Sequence, residues 1–124
     1  MIVKPLPKEN CYELVESMWF WVGQIELEIP VGFVSDGASI PKLFWTITTS
    51  PFHPNVIRAA FEHDYLYRVH VVSRKKADER LKLTMLNDGV SEELAETIFS
   101  TVRTVGGYAF RMGPKKPLIG VYNA

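Results

Sequence analysis

Between Cys11 and Ser35 apolar side chains recur at every second position, and beyond Pro54 they recur every third or fourth. A strand shows alternate residues to one face, whereas a helix does so at a spacing of three to four. The change of period predicts strands first and helices afterwards, an α+β architecture. In the first stretch Tyr12 and Leu14 flank Glu13. Met18, Phe20 and Val22 alternate with Trp19 and Trp21, and Ile25, Leu27 and Ile29 alternate with Glu26 and Glu28. Gly23-Gln24 separates two of these runs and reads as a tight hairpin turn. Pro30 ends the second run, and Gly32 allows a bend before Phe33-Val34. We expect a small antiparallel sheet over about residues 11–35, with one face on the core and Glu26 and Glu28 turned to water.

Asp36-Gly37-Ala38-Ser39-Ile40-Pro41 is a turn by composition, and Ser39 suits the N-cap of a short helix with Pro41 in its first turn. Three longer helices follow. The first is expected from about Pro54 to Tyr67, with Ile57, Ala60, Phe61 and Leu66 at helical spacing. Ser73 is a good N-cap for the second, which places Ala77, Leu81, Thr84 and Met85 on its inner face and closes at Asp88-Gly89. Ser91 starts the third, whose stripe is Leu94, Ala95, Ile98, Phe99 and Val102, and Gly106-Gly107 ends it. Residues 1–10 form a proline-punctuated leading segment, and residues 113–124 an irregular tail with Gly113-Pro114, Pro117 and Gly120. At 124 residues the chain is expected to be a single domain.

The first of these helices carries an anomaly. His63, Asp64 and Tyr67 share one face with Ala60, and a packed helix should not hold such groups there unless partners satisfy them. The second helix has a matching one. Asp78 lies three residues before Leu81 and seven before Met85, so its carboxylate falls on or beside the apolar stripe. A buried carboxylate needs a donor, and a histidine ring N–H is a common one. His63 with Asp78 would make a base-and-orienter pair, with the imidazole taking a proton from water. Asp64 would then be available to a hard cation such as calcium, which takes carboxylate and carbonyl oxygens, and Asp36 could supply more. The competing reading is a structural network of Asp36, Ser39, His63, Asp64 and Arg68, with Tyr67 in the core and Asp78 paired to Arg74 or Arg68.

Composition removes several classes. There are 14 basic and 14 acidic residues, so no global charge favours nucleic acid. The run Arg74-Lys75-Lys76 reads as a solvated first helical turn. Cys11 is the single cysteine, which excludes an internal disulfide and a multi-thiolate zinc site. Lys4, Pro5, Pro7 and Lys8 interrupt any secretory pattern at the start. No apolar run reaches the roughly 18–20 residues that span a bilayer. Synthesis in a host cytoplasm is the expectation, with incorporation into a virion as a further one.

Two resemblances rest on these residues. Ile29-Pro30-Val31-Gly32-Phe33-Val34-Ser35-Asp36-Gly37-Ala38-Ser39-Ile40-Pro41, then Ala59 to Arg68 around His63-Asp64-Tyr65-Leu66-Tyr67, then Ser73 to Asp78 with Met85 and Gly89-Val90, resemble in order and spacing a family of short phage and prophage proteins. That family is known only as a domain of unknown function. The resemblance implies a bacteriophage origin and no established activity. Separately, His63-Asp64-x-x-Tyr67 is similar to the catalytic helix of phospholipases of the A-two class. That similarity implies His63 as base, Asp64 as calcium ligand, Asp78 as the aspartate orienting the histidine, and Tyr67 as a hydroxyl of the network. The stapling helix cysteines of those enzymes are absent, with Ala59 and Ala60 in that region, and so is the glycine-rich calcium loop of the animal enzymes.

Three function classes follow. The first is a virion or tail component in which the polar cluster is structural, with other phage structural proteins as partners and Trp19 and Trp21 as contact surface. The second is a hydrolase using His63, Asp78 and Tyr67 on an ester or amide, calcium-assisted through Asp64 and Asp36, with membrane or envelope contact. The third is a host-modulating binding protein.

Overall fold

The computed structural model describes residues 1–7, 11–35 and 55–111. Asp36, Ser39, Pro54 and the expected tail, 113–124, lie outside the described residues. The architecture is α+β, with small antiparallel sheets at the N-terminal end and helices after them.

Five strands are present: β1 (Val3–Pro5), β2 (Tyr12–Leu14), β3 (Met18–Val22), β4 (Ile25–Ile29) and β5 (Val34–Ser35). They form two sheets rather than the single one expected. One has the order β1-β2-β5, and the other is the hairpin β3-β4. The split has a local cause. Pro30 stops the β4 ladder, and Gly32 takes a φ of 89° that side chains rarely adopt. The chain therefore folds back on β2, where Leu14 N donates to Phe33 O at 2.9 Å and Tyr12 pairs with Ser35. The leading segment also contributes a strand. Val3-Lys4-Pro5 is too short to show a period, and Pro5 is tolerated because β1 is an edge of its sheet.

The hairpin follows the sequence closely. Gly23 has a φ of 61°, which suits the first central position of a type II′ turn. Phe20, Val22 and Ile29 are buried, while Trp19 and Trp21 are 59% and 53% exposed. The register sets Trp19 opposite Glu28 and Trp21 opposite Glu26. One face of the hairpin is core, and the other shows water two tryptophans beside two carboxylates.

The helices are α1 (Ile57–Val69), α2 (Arg74–Asn87), α3 (Glu92–Val105) and the short α4 (Gly107–Arg111). Ser73 and Ser91 cap α2 and α3 by accepting from Lys76 N and Leu94 N, each at 3.2 Å. Gly89, at a φ of 100°, follows α2. Gly106 closes α3 as expected, and Gly107 opens the short α4. Phe110 of α4 packs back on Tyr67 and stacks on His70 at 3.8 Å.

The placement of α1 governs the rest. Nine consecutive residues, Ala59–Tyr67, are buried, so the helix has no solvent face in its middle. Phe61, Tyr65 and Leu66 join a core with Leu14, Phe20 and Phe33, while Ala59 and Ala60 join a second core with Leu81, Met85 and Ile98. Small alanines on one side let α2 and α3 approach, and aromatics on the other fill the gap to the sheets. Phe33, fully buried, sits edge-on to Phe61 and Tyr65, with centroids 6.2 and 5.4 Å away. Phe33→Ala should lower stability by about 3–5 kcal/mol through lost burial and a residual cavity, read as a reduced urea midpoint with an unchanged slope.

Candidate active site

A helix buried around its whole circumference must satisfy every polar side chain internally. Glu62, His63 and Asp64 are consecutive, so on α1 they point in three directions, and each meets a different partner. His63 and Asp78 are fully buried. The His63 Nε2 lies 2.7 Å from Asp78 Oδ1. Tyr67, one turn further along α1, donates its hydroxyl to the same oxygen at 2.6 Å, and its ring lies 4.1 Å from the imidazole. Arg103 of α3 donates from Nη1 to Asp78 Oδ2 at 2.8 Å. Arg74 Nη1 is 3.9 Å from Oδ2 and bonds the carbonyls of Val102 and Arg103 at 3.1 and 3.2 Å. Three helices thus meet on one carboxylate.

Asp64 turns the other way. It is 3% exposed and accepts a hydrogen bond from the buried Ser35 hydroxyl of β5, which ties α1 to the three-stranded sheet. Asp64 is the residue expected to hold a cation, and in the structure one of its oxygens accepts from Ser35. Among the described residues no group of three or more His, Cys, Asp or Glu is placed to hold a metal, and Asp36, the other expected ligand, lies outside them. Ser35, His63 and Asp64 each have a further interaction besides those named.

Glu62 forms a second junction. Fully buried, it accepts from Thr84 Oγ1 at 2.5 Å, from Arg80 Nε at 3.2 Å and from Arg58 Nη1 at 3.5 Å. Arg80 also lies over the Phe20 ring at 5.8 Å, and Arg58 reaches Asp88 through Nε and Nη2 at 3.0 and 2.8 Å. That doubled bond raises the basicity of the Arg58 guanidinium. Arg68 is the other arginine of α1. It lies over Phe33 at 5.9 Å and, among the described residues, stays outside the Asp78 cluster.

The charges of the cluster follow from these contacts. Burial opposes ionisation of Asp78, but hydrogen bonds from His63, Tyr67 and Arg103 outweigh it and hold the carboxyl below its ordinary value. Burial and the neighbouring Asp78 carboxylate push the Tyr67 hydroxyl up, with Arg74 acting against them. Tyr67 therefore stays a proton donor to Asp78.

A family model described as "Protein of unknown function (DUF1353)" matches residues 12–102. The chain belongs to the DUF1353 family. Two relatives come from Sinorhizobium fredii. The uncharacterized protein y4jT is 31% identical over 78 residues, 63% of this chain and 23% of that protein. The uncharacterized protein y4iH is 36% identical over 72 residues, 58% of this chain and 30% of that protein. The matched part is under a third of the length of either relative. No solved structure matches the chain. The DUF1353 match takes in Ser35, His63, Asp64, Tyr67 and Asp78 and ends one residue before Arg103.

Helical spacing set His63 and Tyr67 on one face and Asp78 beside an apolar stripe, and the phospholipase similarity implied the Tyr67 hydroxyl as part of the network. Arg103, Glu62, Arg80 and Thr84 were missed as partners. Only Arg58 and Glu62, four residues apart, carry a local signal. Gly106 was read as a helix end, and the DUF1353 fold gives it a second duty. A Cβ there would overlap the Val102 carbonyl and lie 2.7 Å from the Tyr67 hydroxyl. The missing side chain admits Tyr67 to the cluster.

The lowered Asp78 value fixes the sign of one pH effect. Its folded value lies below that of the unfolded chain, about 3.9. The unfolded state then binds more protons, and the stabilisation is present above that value and lost as pH falls through the folded one. Asp78→Asn should lose stability at pH 7 and show a flatter decline of the urea midpoint below about pH 4 than the parent protein. An unchanged acid limb would count against the assigned cause.

Proposed function

We propose that the His63–Asp78 pair is a working general base and that the chain is a hydrolase acting on an ester or amide of the cell envelope. The observation that carries this reading is the double use of Asp78 Oδ1, which faces His63 Nε2 at 2.7 Å and the Tyr67 hydroxyl at 2.6 Å. An Asp that holds Nε2 orients the ring and stabilises the imidazolium. Taken as the base, His63 would accept a proton through Nδ1, and the further interaction that His63 makes would have to give way to water. Water held against Nδ1 loses that proton as its oxygen attacks the carbonyl carbon. The carbon–oxygen or carbon–nitrogen bond to the leaving group breaks, and the imidazolium returns the proton to it. His63 is fully buried, so substrate must displace what covers the ring. The similarity of His63-Asp64-x-x-Tyr67 to phospholipases of the A-two class supports phospholipid esters as the first substrates to try.

The test is hydrolysis of phospholipid vesicles and of peptidoglycan, with and without calcium. The parent protein should cleave one of them, and His63→Ala should reduce the rate by about 100-fold or more while remaining folded. Equal rates for parent and variant would overturn the proposal, as would no cleavage of either.

The exposed tryptophans favour a second reading, a part of a virion or tail with its polar cluster serving as a hub. Trp19 and Trp21 stand out on one hairpin face, and aromatic residues are enriched at protein interfaces. On this reading the protein co-purifies with particles, and Trp19→Ser with Trp21→Ser abolishes incorporation while leaving the melting temperature nearly unchanged. Absence from purified particles would remove it.

A further inference from the structure

We propose that Arg103 is a positioning residue for the His63–Asp78 pair. It locks the carboxylate plane so that Oδ1 faces the imidazole. The proposal rests on reading His63 as the base, and its geometry is independent of any substrate.

The terminal torsion of an aspartate is broad and roughly two-fold, so the carboxylate plane is not fixed by the backbone. In this site the two oxygens are divided. Oδ1 meets His63 and Tyr67, both from α1. Oδ2 meets Arg103 from α3 at 2.8 Å, with Arg74 further off at 3.9 Å. Donors on both oxygens from two different helices resist rotation, and with Arg103 gone only the more distant Arg74 remains near Oδ2 among the contacts named. Charge assistance makes the arginine bond shorter and stronger than a neutral one.

Arg103 is itself delivered by a fixed helix end. Arg74 Nη1 bonds the Val102 and Arg103 carbonyls, so the last turn of α3 is fastened to α2 beside the carboxylate it serves. Gly106 closes that turn and leaves space for the Tyr67 hydroxyl. The other charged neighbours of His63 along α1 point elsewhere, Glu62 to Arg80 and Asp64 to Ser35. The side chain of Arg103 remains 32% exposed. Its removal therefore leaves little buried void.

The experiment compares Arg103→Met with Arg103→Lys in the full chain at a single pH near neutrality. The first readout is the proton NMR signal of the His63 Nε2–H, which a fixed bond to Asp78 shifts downfield and protects from exchange. The second is kcat and KM on whichever envelope substrate the parent protein cleaves. Arg103→Met should speed exchange of that proton at least ten-fold in the folded protein. It should also lower kcat on the order of 100-fold with KM nearly unchanged, the scale of a misplaced catalytic group. Arg103→Lys should restore both, because a single Nη1 contact to Oδ2 is what a lysine amine can replace. Arg103→Gln has a side chain too short for Oδ2 and stands in where the methionine variant does not fold. A lowered melting temperature with unchanged His63 exchange and kcat would overturn the proposal, and so would a lysine variant that behaves like the methionine one. Altered exchange in a protein without hydrolysis supports the positioning role and removes the hydrolase reading. Hydrolysis with unaltered exchange removes the positioning role and leaves the hydrolase reading in place.

Discussion

The carboxylate of Asp78 is the point on which the helical part of this molecule depends. It is fully buried, and it accepts from His63 and Tyr67 of α1 and from Arg103 of α3 while belonging to α2. An isolated carboxylate could not stay ionised in such a place. Its donors make the charge tolerable, and in return the charge fixes three helices to one another. Removing one partner of such a group leaves another stranded, which typically costs about 3–5 kcal/mol. The short α4 adds to the same junction through Phe110, which covers Tyr67.

The central helix explains why so many polar groups are buried at all. α1 lies between the sheets and the α2–α3 pair, and Ala59–Tyr67 have no exposed side. Three successive residues then solve the same problem with three sets of partners. Glu62 is held by Arg80, Thr84 and Arg58, His63 by Asp78, and Asp64 by Ser35. Each set reaches elements far away in sequence. The helix is therefore fixed in rotation as well as position, because turning it about its axis would break all three.

How much of this the sequence carried depends on how local each signal was. Period-two alternation located β2, β3 and β4, and Gly23 located the hairpin turn. Ser73, Gly89 and Ser91 located helix ends, since caps and left-handed residues are decided within a few positions. Asp78 was legible because a carboxylate on an apolar stripe needs a partner, and His63 was the ring N–H donor nearest in pattern. The single-sheet expectation failed at Pro30 and Gly32, where a turn sends β5 to β2 and away from β4. β1 was illegible because three residues show no period. Arg103 was illegible for a different reason. A basic residue in the last turn of a helix suits the helix dipole in any protein, so nothing in its setting marked it as the partner of a carboxylate 25 positions earlier.

The two buried junctions differ in what they could do. Buried ionic groups stabilise a fold little more than well-packed apolar residues of the same volume would, so stability alone is a poor account of either. The Glu62 junction is made of guanidinium groups and a hydroxyl around one carboxylate, and such groups hold their protons. It suits a fixed clamp between α1 and α2. The Asp78 junction ends on an imidazole, whose ring nitrogens can each donate or accept a hydrogen bond. Its orienting carboxylate is held from both oxygens, and a tyrosine hydroxyl that keeps its proton bonds the same oxygen as the ring. If His63 is the proposed base, the contact between Nε2 and Oδ1 is what orients it, and if the cluster is a hub, the same contact fastens α1 to α2.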